Sequence, residues 1–284
     1  MPRAHRVTAL LGATLLFACL PVDSRPAPGA LHVSVHGNEA LAQGIPLTSD
    51  GWSVVYDRFL VTIGQTWLSG EACDVYSEAD YTRIVDARRS EPQKLSLLYG
   101  DGRCALMFAV TSPDEDTLLT AGVSEGDKTF LRQPGAANGG ISMRVEGRAT
   151  DGVRFKHFGW SFFRYSGYDC TFQEEMPFAL SGAKDTHATI SLRGEALFEL
   201  DRQSDRDLAL GPLRFTPFAQ ADDVFGDGNG EITTEELEAT PSSDPVTYDS
   251  LRIQLDSSLF PSLPELEQKP CRALVLNERP PHAD

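Results

Sequence analysis

Apolar and polar residues alternate in short segments between residues 31 and 200, which is the pattern of strands that bury one face. Residues rich in Gly, Asp and Pro separate these segments, and the turn at residues 100–103 predicts a hairpin. The alternating segments are residues 31–36, 53–56, 59–63, 94–99, 104–110, 141–148, 153–165 and 186–198. Short strands joined by turns predict a mainly antiparallel, β-sandwich-like domain over residues 31–200.

A helix is predicted near residue 77, inside this β-rich region. Ser77 has the character of an N-cap, and Asp80 follows three residues later, as in a capping box. In such a helix Ile84 and Val85 would face the core.

Beyond residue 200 the apolar spacing becomes helical, so we expect an α+β protein with a helical unit and C-terminal tail over residues 205–284. Thr216 and Pro217 predict an N-cap and a first helical position. The apolar face that follows consists of Phe218, Ala221 and Phe225. A second apolar stripe predicts another helix over residues 246–259.

Residues 227–236 read Asp-Gly-Asn-Gly-Glu-Ile-Thr-Thr-Glu-Glu, which resembles the second part of an EF-hand calcium loop. In that loop, oxygen ligands recur at alternate positions, a glycine makes a sharp turn and a bidentate glutamate closes the site. The resemblance implies that Gly230 makes the turn, that Ile232 points into the core and that Glu236 closes the site. Thr233 and Glu236 also form the pattern of a capping box for the helix that leaves the loop.

The first ligand position of this loop carries Phe225 instead of aspartate. Asp222 or Asp223 can replace that aspartate if the residues between them and Asp227 are an insertion, which would loosen the first turn. We therefore expect one weak Ca²⁺ site, and a turn without any metal is the alternative. The candidate ligands are Asp222, Asp223, Asp227, Asn229, Glu231 through its carbonyl, Thr233 and Glu236.

Residues 1–18 have the features of an export signal, namely two arginines followed by an apolar run of eleven residues that is too short to span a bilayer. The run leads into Leu-Phe-Ala-Cys at residues 16–19, which resembles the lipobox of bacterial lipoproteins. The resemblance implies that Cys19 is acylated. Leu20 in place of aspartate implies passage to the outer membrane, facing the periplasm or the cell surface. Residues 19–30 then form a tether, and a plain secretory signal is the alternative.

The remaining cysteines are Cys73, Cys104, Cys170 and Cys271, an even number in a compartment that oxidises thiols. We predict the pairs Cys73–Cys104 and Cys170–Cys271, one of the three pairings that four cysteines allow. The formal net charge of −16 argues against nucleic acid and anionic membrane surfaces as partners. We therefore expect the membrane to be contacted only through the N-terminal lipid.

Two classes of function follow from these features. The first is a lipid-anchored, non-enzymatic binding or structural protein, with an unknown protein or cell-envelope ligand, whose helical unit holds calcium. This combination resembles bacterial lipoproteins that end in an EF-hand-like unit, a resemblance that implies no activity. The second is a periplasmic transition-metal-handling or hydrolytic protein that uses His157, His187 and Asp185. His32 and His36 lie about 13 Å apart along one strand, so they cannot chelate one ion together.

Overall fold

The computed structural model describes residues 27–77, 82–134, 140–163, 165–170, 178–182, 184–199, 212–241 and 271–275. The predicted export signal, Cys19, most of the tether and the predicted helix at residues 246–259 lie outside these ranges. The described strands are β1 (Gly29–Gly37), β2 (Ser53–Ser69), β3 (Cys73–Ser77), β4 (Arg83–Asp86), β5 (Gln93–Val110), β6 (Leu118–Leu119), β7 (Met143–Thr150), β8 (Phe155–Phe162), β9 (Ser166–Asp169), β10 (Phe178–Leu180), β11 (Asp185–Leu192), β12 (Glu231–Thr233) and β13 (Arg272–Val275).

The described helices are short, and half of them lie between the strands of the β-rich part of the chain. They are α1 (Glu39–Gln43), α2 (Glu125–Leu131), α3 (Thr216–Gln220) and α4 (Thr234–Ala239), with a 3₁₀ helix at Gly194–Phe198 and a π-helical turn at Ala221–Phe225. The predicted α+β class, a mainly β domain followed by a small helical part, is confirmed. None of the helices that the structure describes has the length and apolar character that crossing a bilayer requires.

The strands form one sheet whose main path runs β11-β1-β5-β2-β7-β8-β12. Most neighbours are antiparallel, but three pairs are parallel, namely β1 with β11, β4 with β6, and β8 with β12. The long strands β2 and β5 tie the sheet together, since β2 pairs with β4, β5 and β7 while β5 pairs with β1, β3, β9 and β10. Alternation along β2 and β5 predicted strands, but the hairpin predicted at residues 100–103 is wrong, because β5 runs unbroken through these residues and pairs there with β1, β3 and β10. Alternation also did not reveal the three parallel pairings.

The described residues of the predicted helical unit share the hydrophobic core of the sheet. Aromatic side chains of the strands and of the helical part belong to the same buried cluster, which includes Trp52, Phe59, Phe108, Phe158, Trp160, Phe198, Phe215 and Phe218. Trp160 stacks on Phe218 with ring centroids 5.3 Å apart. The segment after residue 212 is therefore packed onto the sheet through apolar contacts.

The helix predicted near residue 77 is wrong over its described part. Ser77 ends strand β3, and Ile84 and Val85 lie in strand β4. Both apolar side chains are buried, as expected, but they are buried through pairing of β4 with β2 and β6. The sheet contacts outweigh the local capping signal, because propensity is a weak constraint against tertiary pairing.

Both predicted disulfides are confirmed. Cys73 and Cys104 join β3 to β5, with Cα atoms 4.9 Å apart. Cys170 and Cys271 lie next to the paired strands β9 and β13, with Cα atoms 4.2 Å apart. The second bridge therefore holds residues 271–275 against the sheet.

Removing the two bridges separately is expected to have unequal effects on the free energy of unfolding. The Cys170–Cys271 bridge closes a loop of 101 residues and the Cys73–Cys104 bridge a loop of 31 residues. In the chain-entropy model these loops correspond to about 4.7 and about 3.7 kcal/mol. Urea denaturation of the two double Cys→Ala variants measures the difference, and a larger loss for the Cys73–Cys104 pair would contradict it.

Candidate metal centre

The helix that leads into the loop, and its N-cap, both begin one residue earlier than predicted. Phe215 is the N-cap of α3 and Thr216 is the first helical residue. The carboxylate of Asp50, which precedes β2, accepts hydrogen bonds from the backbone N–H groups of Phe215 and Thr216 at 3.0 and 2.7 Å. Partial burial acts to raise the pKa of Asp50, but hydrogen bonds from Thr48, Thr216 and Phe215 hold that pKa below its usual value. The helix is therefore capped by a distant carboxylate.

In the π-helical turn at Ala221–Phe225, the side chain of Asp222 points inward and that of Asp223 points outward. Asp222 follows Phe218 by four residues, and both side chains are fully buried. Asp223 is exposed and accepts from Lys156 Nζ at 2.5 Å, with Arg154 Nη1 3.6 Å away. Phe225 is exposed, so its predicted place on the apolar face of the helix is wrong. A π turn holds more residues than an α turn and thus shifts the phase of the side chains that follow.

The loop after the π turn is organised by Asx-type hydrogen bonds and by glycines. Asp227 Oδ1 accepts from the N–H of Asn229 at 3.0 Å, and Asn229 Oδ1 accepts from the N–H of Glu231 at 2.6 Å. Gly230 makes the expected turn, with a φ of 92° that favours glycine. The loop then enters β12, where Ile232 is buried as predicted.

Strand β12 fixes the loop to the sheet. It pairs parallel with β8 in the register Glu231 with His157 and Ile232 with Phe158. The N–H of His157 donates to the carbonyl of Gly230 at 2.8 Å, and Trp160 Nε1 donates to the carbonyl of Ile232 at 3.0 Å. The loop backbone is thus held by β8 from one side.

Three of the predicted ligands converge at this point. Carboxylate oxygens of Asp222, Asp227 and Glu236 all lie within 4.8 Å of one another. These three side chains are buried, exposed and half-buried, respectively. Such a cluster of oxygen ligands offers a site for a hard divalent cation.

Glu236 has two roles in this cluster. Its Oε2 accepts from the N–H of Thr233 at 2.9 Å and the Thr233 hydroxyl accepts from the N–H of Glu236, so the predicted capping box of α4 is confirmed. Its Oε1 lies 3.4 Å from the N–H of Asp227. A Cβ at Gly226 would lie 2.1 Å from this Oε1, which means that only glycine leaves room for the carboxylate.

The strongest indication of a ligand is the carboxylate of Asp222. Its Oδ2 accepts from Lys156 Nζ and from the N–H of Gly230, the latter at 3.0 Å. Its Oδ1 is buried and has no hydrogen-bond partner among the described residues. Leaving such an oxygen without a partner costs about 1–3 kcal/mol or more for a charged group. A cation bound between Asp222, Asp227 and Glu236 would satisfy it.

Lys156 is the residue of the site that the sequence analysis missed. Its side chain is only 5% exposed and it donates to both Asp222 and Asp223. Burial acts to lower the pKa of Lys156, but the hydrogen bonds and charges of the two aspartates raise it above its usual value. The sequence did carry a signal, because Lys156 shares the inward phase of β8 with Phe158 and Trp160.

The other candidate ligands take different places. Asp223 forms ion pairs with Lys156 and Arg154, as described above. The side chain of Asn229 hydrogen-bonds Asp227 Oδ2 through its Nδ2 at 3.0 Å, and Glu231 is exposed at the start of β12. The hydroxyl of Thr233 serves the capping box. Within the described residues, neither Asp227 nor Glu236 has a lysine or arginine at ion-pair distance, so their charges remain available to a cation.

The histidines proposed as metal ligands for the second class of function, His157 and His187, lie on strands that are far apart in the sheet. His157 lies on β8 and pairs with β12, whereas His187 and Asp185 lie on β11 at the other end of the strand order. The ring of His157 packs against Phe155 with centroids 4.7 Å apart. This placement gives no support to a centre built from His157, His187 and Asp185.

Comparisons with known proteins add no further information. No family model, no curated protein and no solved structure matches this chain.

Replacing Lys156 by methionine is expected to lower the free energy of unfolding by about 3–5 kcal/mol, because it leaves the buried Asp222 carboxylate without its counter-ion. Urea denaturation in the presence of a chelator measures this effect. Lys94→Met is the matched control, since Lys94 is an exposed strand lysine and its loss is expected to change stability by less than about 0.5 kcal/mol. Equal stability of the two variants would show that the buried ion pair contributes little.

A double variant separates the pair from simple loss of packing. In Lys156→Met/Asp222→Asn the buried charge is removed together with its partner, so part of the lost stability is expected to return. Purely additive losses in the double-mutant cycle would contradict direct coupling of the two side chains.

Proposed function

We propose that this protein is a lipid-anchored, exported and non-enzymatic binding or structural protein whose C-terminal loop binds one calcium ion weakly. The observation that carries the calcium site is the carboxylate of Asp222, which belongs to the cluster with Asp227 and Glu236 and whose buried Oδ1 has no hydrogen-bond partner among the described residues. A cation bound by the three carboxylates would explain why a carboxylate oxygen is buried without a hydrogen-bond donor.

The chemistry of the ligands favours calcium over other metals. The cluster offers carboxylate oxygens only, which suit hard cations such as Ca²⁺ and Mg²⁺ better than zinc or copper. Ca²⁺ accepts six to eight oxygens in a flexible arrangement, so carbonyls and water can complete its shell. Mg²⁺ requires near-octahedral geometry and loses its water reluctantly. An irregular loop that follows a π turn therefore fits calcium better.

The same contacts explain why the affinity is expected to be low. Asp222 already shares the ammonium of Lys156 with Asp223, so a calcium ion must bind close to a positive charge. Asp223 and Asn229 are engaged by other protein groups, which leaves few side-chain ligands. We expect a dissociation constant in the range of extracellular modules, about 10⁻⁴ to 10⁻³ M.

The position of the protein in the cell is inferred from the N-terminal sequence and the disulfides. The apolar run that leads to Cys19 supports export and acylation. Two disulfides, one closing a long loop, suit an oxidising compartment such as the periplasm. Together they support an outer-membrane lipoprotein of bacteria that contacts the membrane through its lipid and binds a protein or cell-envelope ligand.

Calcium is expected to raise the melting temperature of the full chain, and Glu236→Gln is expected to abolish that rise. At ten times the dissociation constant, binding stabilises the folded state by about 1.4 kcal/mol. Glutamine removes the charge and the bidentate grip but can still serve the capping box, so stability in chelator changes little. Differential scanning calorimetry with and without calcium measures both effects.

Glu238→Gln is the matched control for this experiment. Glu238 is an exposed residue of the same helix and does not belong to the cluster. The variant is expected to keep the full response to calcium. A wild-type melting curve that does not respond to millimolar calcium would leave only a metal-free turn.

Acylation is expected to depend on Cys19. Labelled palmitate should enter the wild-type protein in bacterial cells and be absent from Cys19→Ala. Cys73→Ala is the control that should still be labelled, since Cys73 is bonded to Cys104. Label that persists in Cys19→Ala would contradict a lipid anchor at this residue.

A further inference from the structure

Two histidines that are far apart in the sequence lie side by side on the outer face of the sheet. Strands β1 and β11 pair in parallel, and His32 lies opposite His187 in their register. Asp185 precedes His187 by two residues, so it lies on the same face of β11. The inward neighbours Val33 and Ala188 are buried, which places the two histidines on the outside.

The side chain of His32 lies close to those of both His187 and Asp185. The imidazole rings of His32 and His187 stack with centroids 4.9 Å apart and planes 21° apart. The Nε2 of His32 is 3.9 Å from Oδ2 of Asp185. Both histidines reach solvent, and His32 and Asp185 line a cleft of about 320 Å³ that gives an ion and its water access.

We propose that His32, His187 and Asp185 form a second metal site, selective for a borderline transition-metal cation such as Zn²⁺ or Cu²⁺. Two imidazole nitrogens and one carboxylate oxygen are a ligand set that these ions prefer and that Ca²⁺ does not. The site is separate from the calcium loop in both position and ligand chemistry, so it does not depend on the function proposed above.

The geometry of neighbouring strands makes a shared ion feasible. Adjacent strands lie about 4.8 Å apart, and two nitrogens bound about 2.0–2.1 Å from one tetrahedral zinc ion are about 3.4 Å apart, so the two imidazoles must lean towards each other. The stacked rings must also turn so that one nitrogen of each faces the ion. This movement meets little resistance, because His187 is exposed and the side chain of His32 is 38% exposed. Open positions on the ion would be filled by water from the cleft.

The remaining described histidines of the β domain provide controls rather than ligands. His36 lies on the same face of β1 but four residues further, opposite Ser191. Between them, Ser34 and Thr189 form a hydroxyl pair 3.1 Å apart. His157 lies on β8, and three strands separate β8 from β1. Neither residue can reach an ion bound between His32 and His187.

The test is a titration of the full chain with Cu²⁺ and with Zn²⁺ in saturating calcium. The excess of calcium prevents the acidic loop from competing for the transition-metal ion. We expect saturable binding of one transition-metal ion, with nitrogen hyperfine structure from two imidazoles in the electron paramagnetic resonance spectrum of the copper form. His32→Gln and His187→Gln should each weaken binding at least tenfold and leave at most one nitrogen coupling. Asp185→Asn should weaken binding less.

His36→Gln and His157→Gln are the matched controls and should bind like the wild type. Glu236→Gln should also bind Zn²⁺ normally, which separates this site from the calcium loop. Binding that survives in His32→Gln/His187→Gln, or that shows no defined stoichiometry, would overturn the proposal, and so would a copper spectrum without two nitrogen couplings.

Discussion

Burial of Asp222 is the constraint on which the C-terminal part of the structure depends. A carboxylate that leaves water loses several kcal/mol of solvation, and folding recovers this only if charged and polar partners are in place. Here the partners come from two elements that are distant in sequence, Lys156 on β8 and the backbone of Gly230 in the loop. The loop, the π turn and the strand β8 must therefore assemble together, because moving any one of them away would leave the buried carboxylate of Asp222 without a partner.

The same constraint connects structure with the expected chemistry of the loop. Lys156 pairs with Oδ2 of Asp222, whereas Oδ1 is buried without a partner among the described residues, and the side chain as a whole belongs to the cluster with Asp227 and Glu236. The ammonium group of Lys156 consequently stabilises the fold of the loop. A metal ion would be an additional ligand and not a requirement for folding. This arrangement differs from metal-dependent domains, in which the binding free energy supplies the folding free energy.

Local signals in the sequence were reliable where local contacts decide the structure. The capping box of Thr233 and Glu236, the turn at Gly230 and the buried Ile232 were predicted, because each depends on short spacing. The even count of cysteines predicted two disulfides, and the proposed pairing was one of three that this count allows. The alternation of residues along β1, β2 and β5 gave the mainly β class for the same reason. Of the candidate ligands, Asp222, Asp227 and Glu236 were brought together.

Features set by tertiary contacts could not be predicted in this way. Ser77 and Ile84, which were assigned to one helix, lie in the strands β3 and β4, and β4 pairs with β2, whereas Ser124 and Asp127 form a capping box at the start of α2. The π turn exposes Phe225, and no periodicity rule anticipates such a phase shift. The role of Lys156 required knowledge of which strand the loop contacts. The parallel pairing of β1 with β11 brought His32 to His187, and alternation carries no information on strand order.

This pairing of β1 with β11 has a consequence for how the chain acquires its shape. Ser34 and Thr189, which face each other across the pair, are separated by 155 positions. Contacts between such distant positions form late, because the loop that they close must lose its conformational freedom first. During synthesis, one edge of β1 therefore stays unpaired until its partner strand β11 has been made, after most of the sheet. An open strand edge is a template for association with other chains. Chaperone protection of the nascent chain would matter most in that interval.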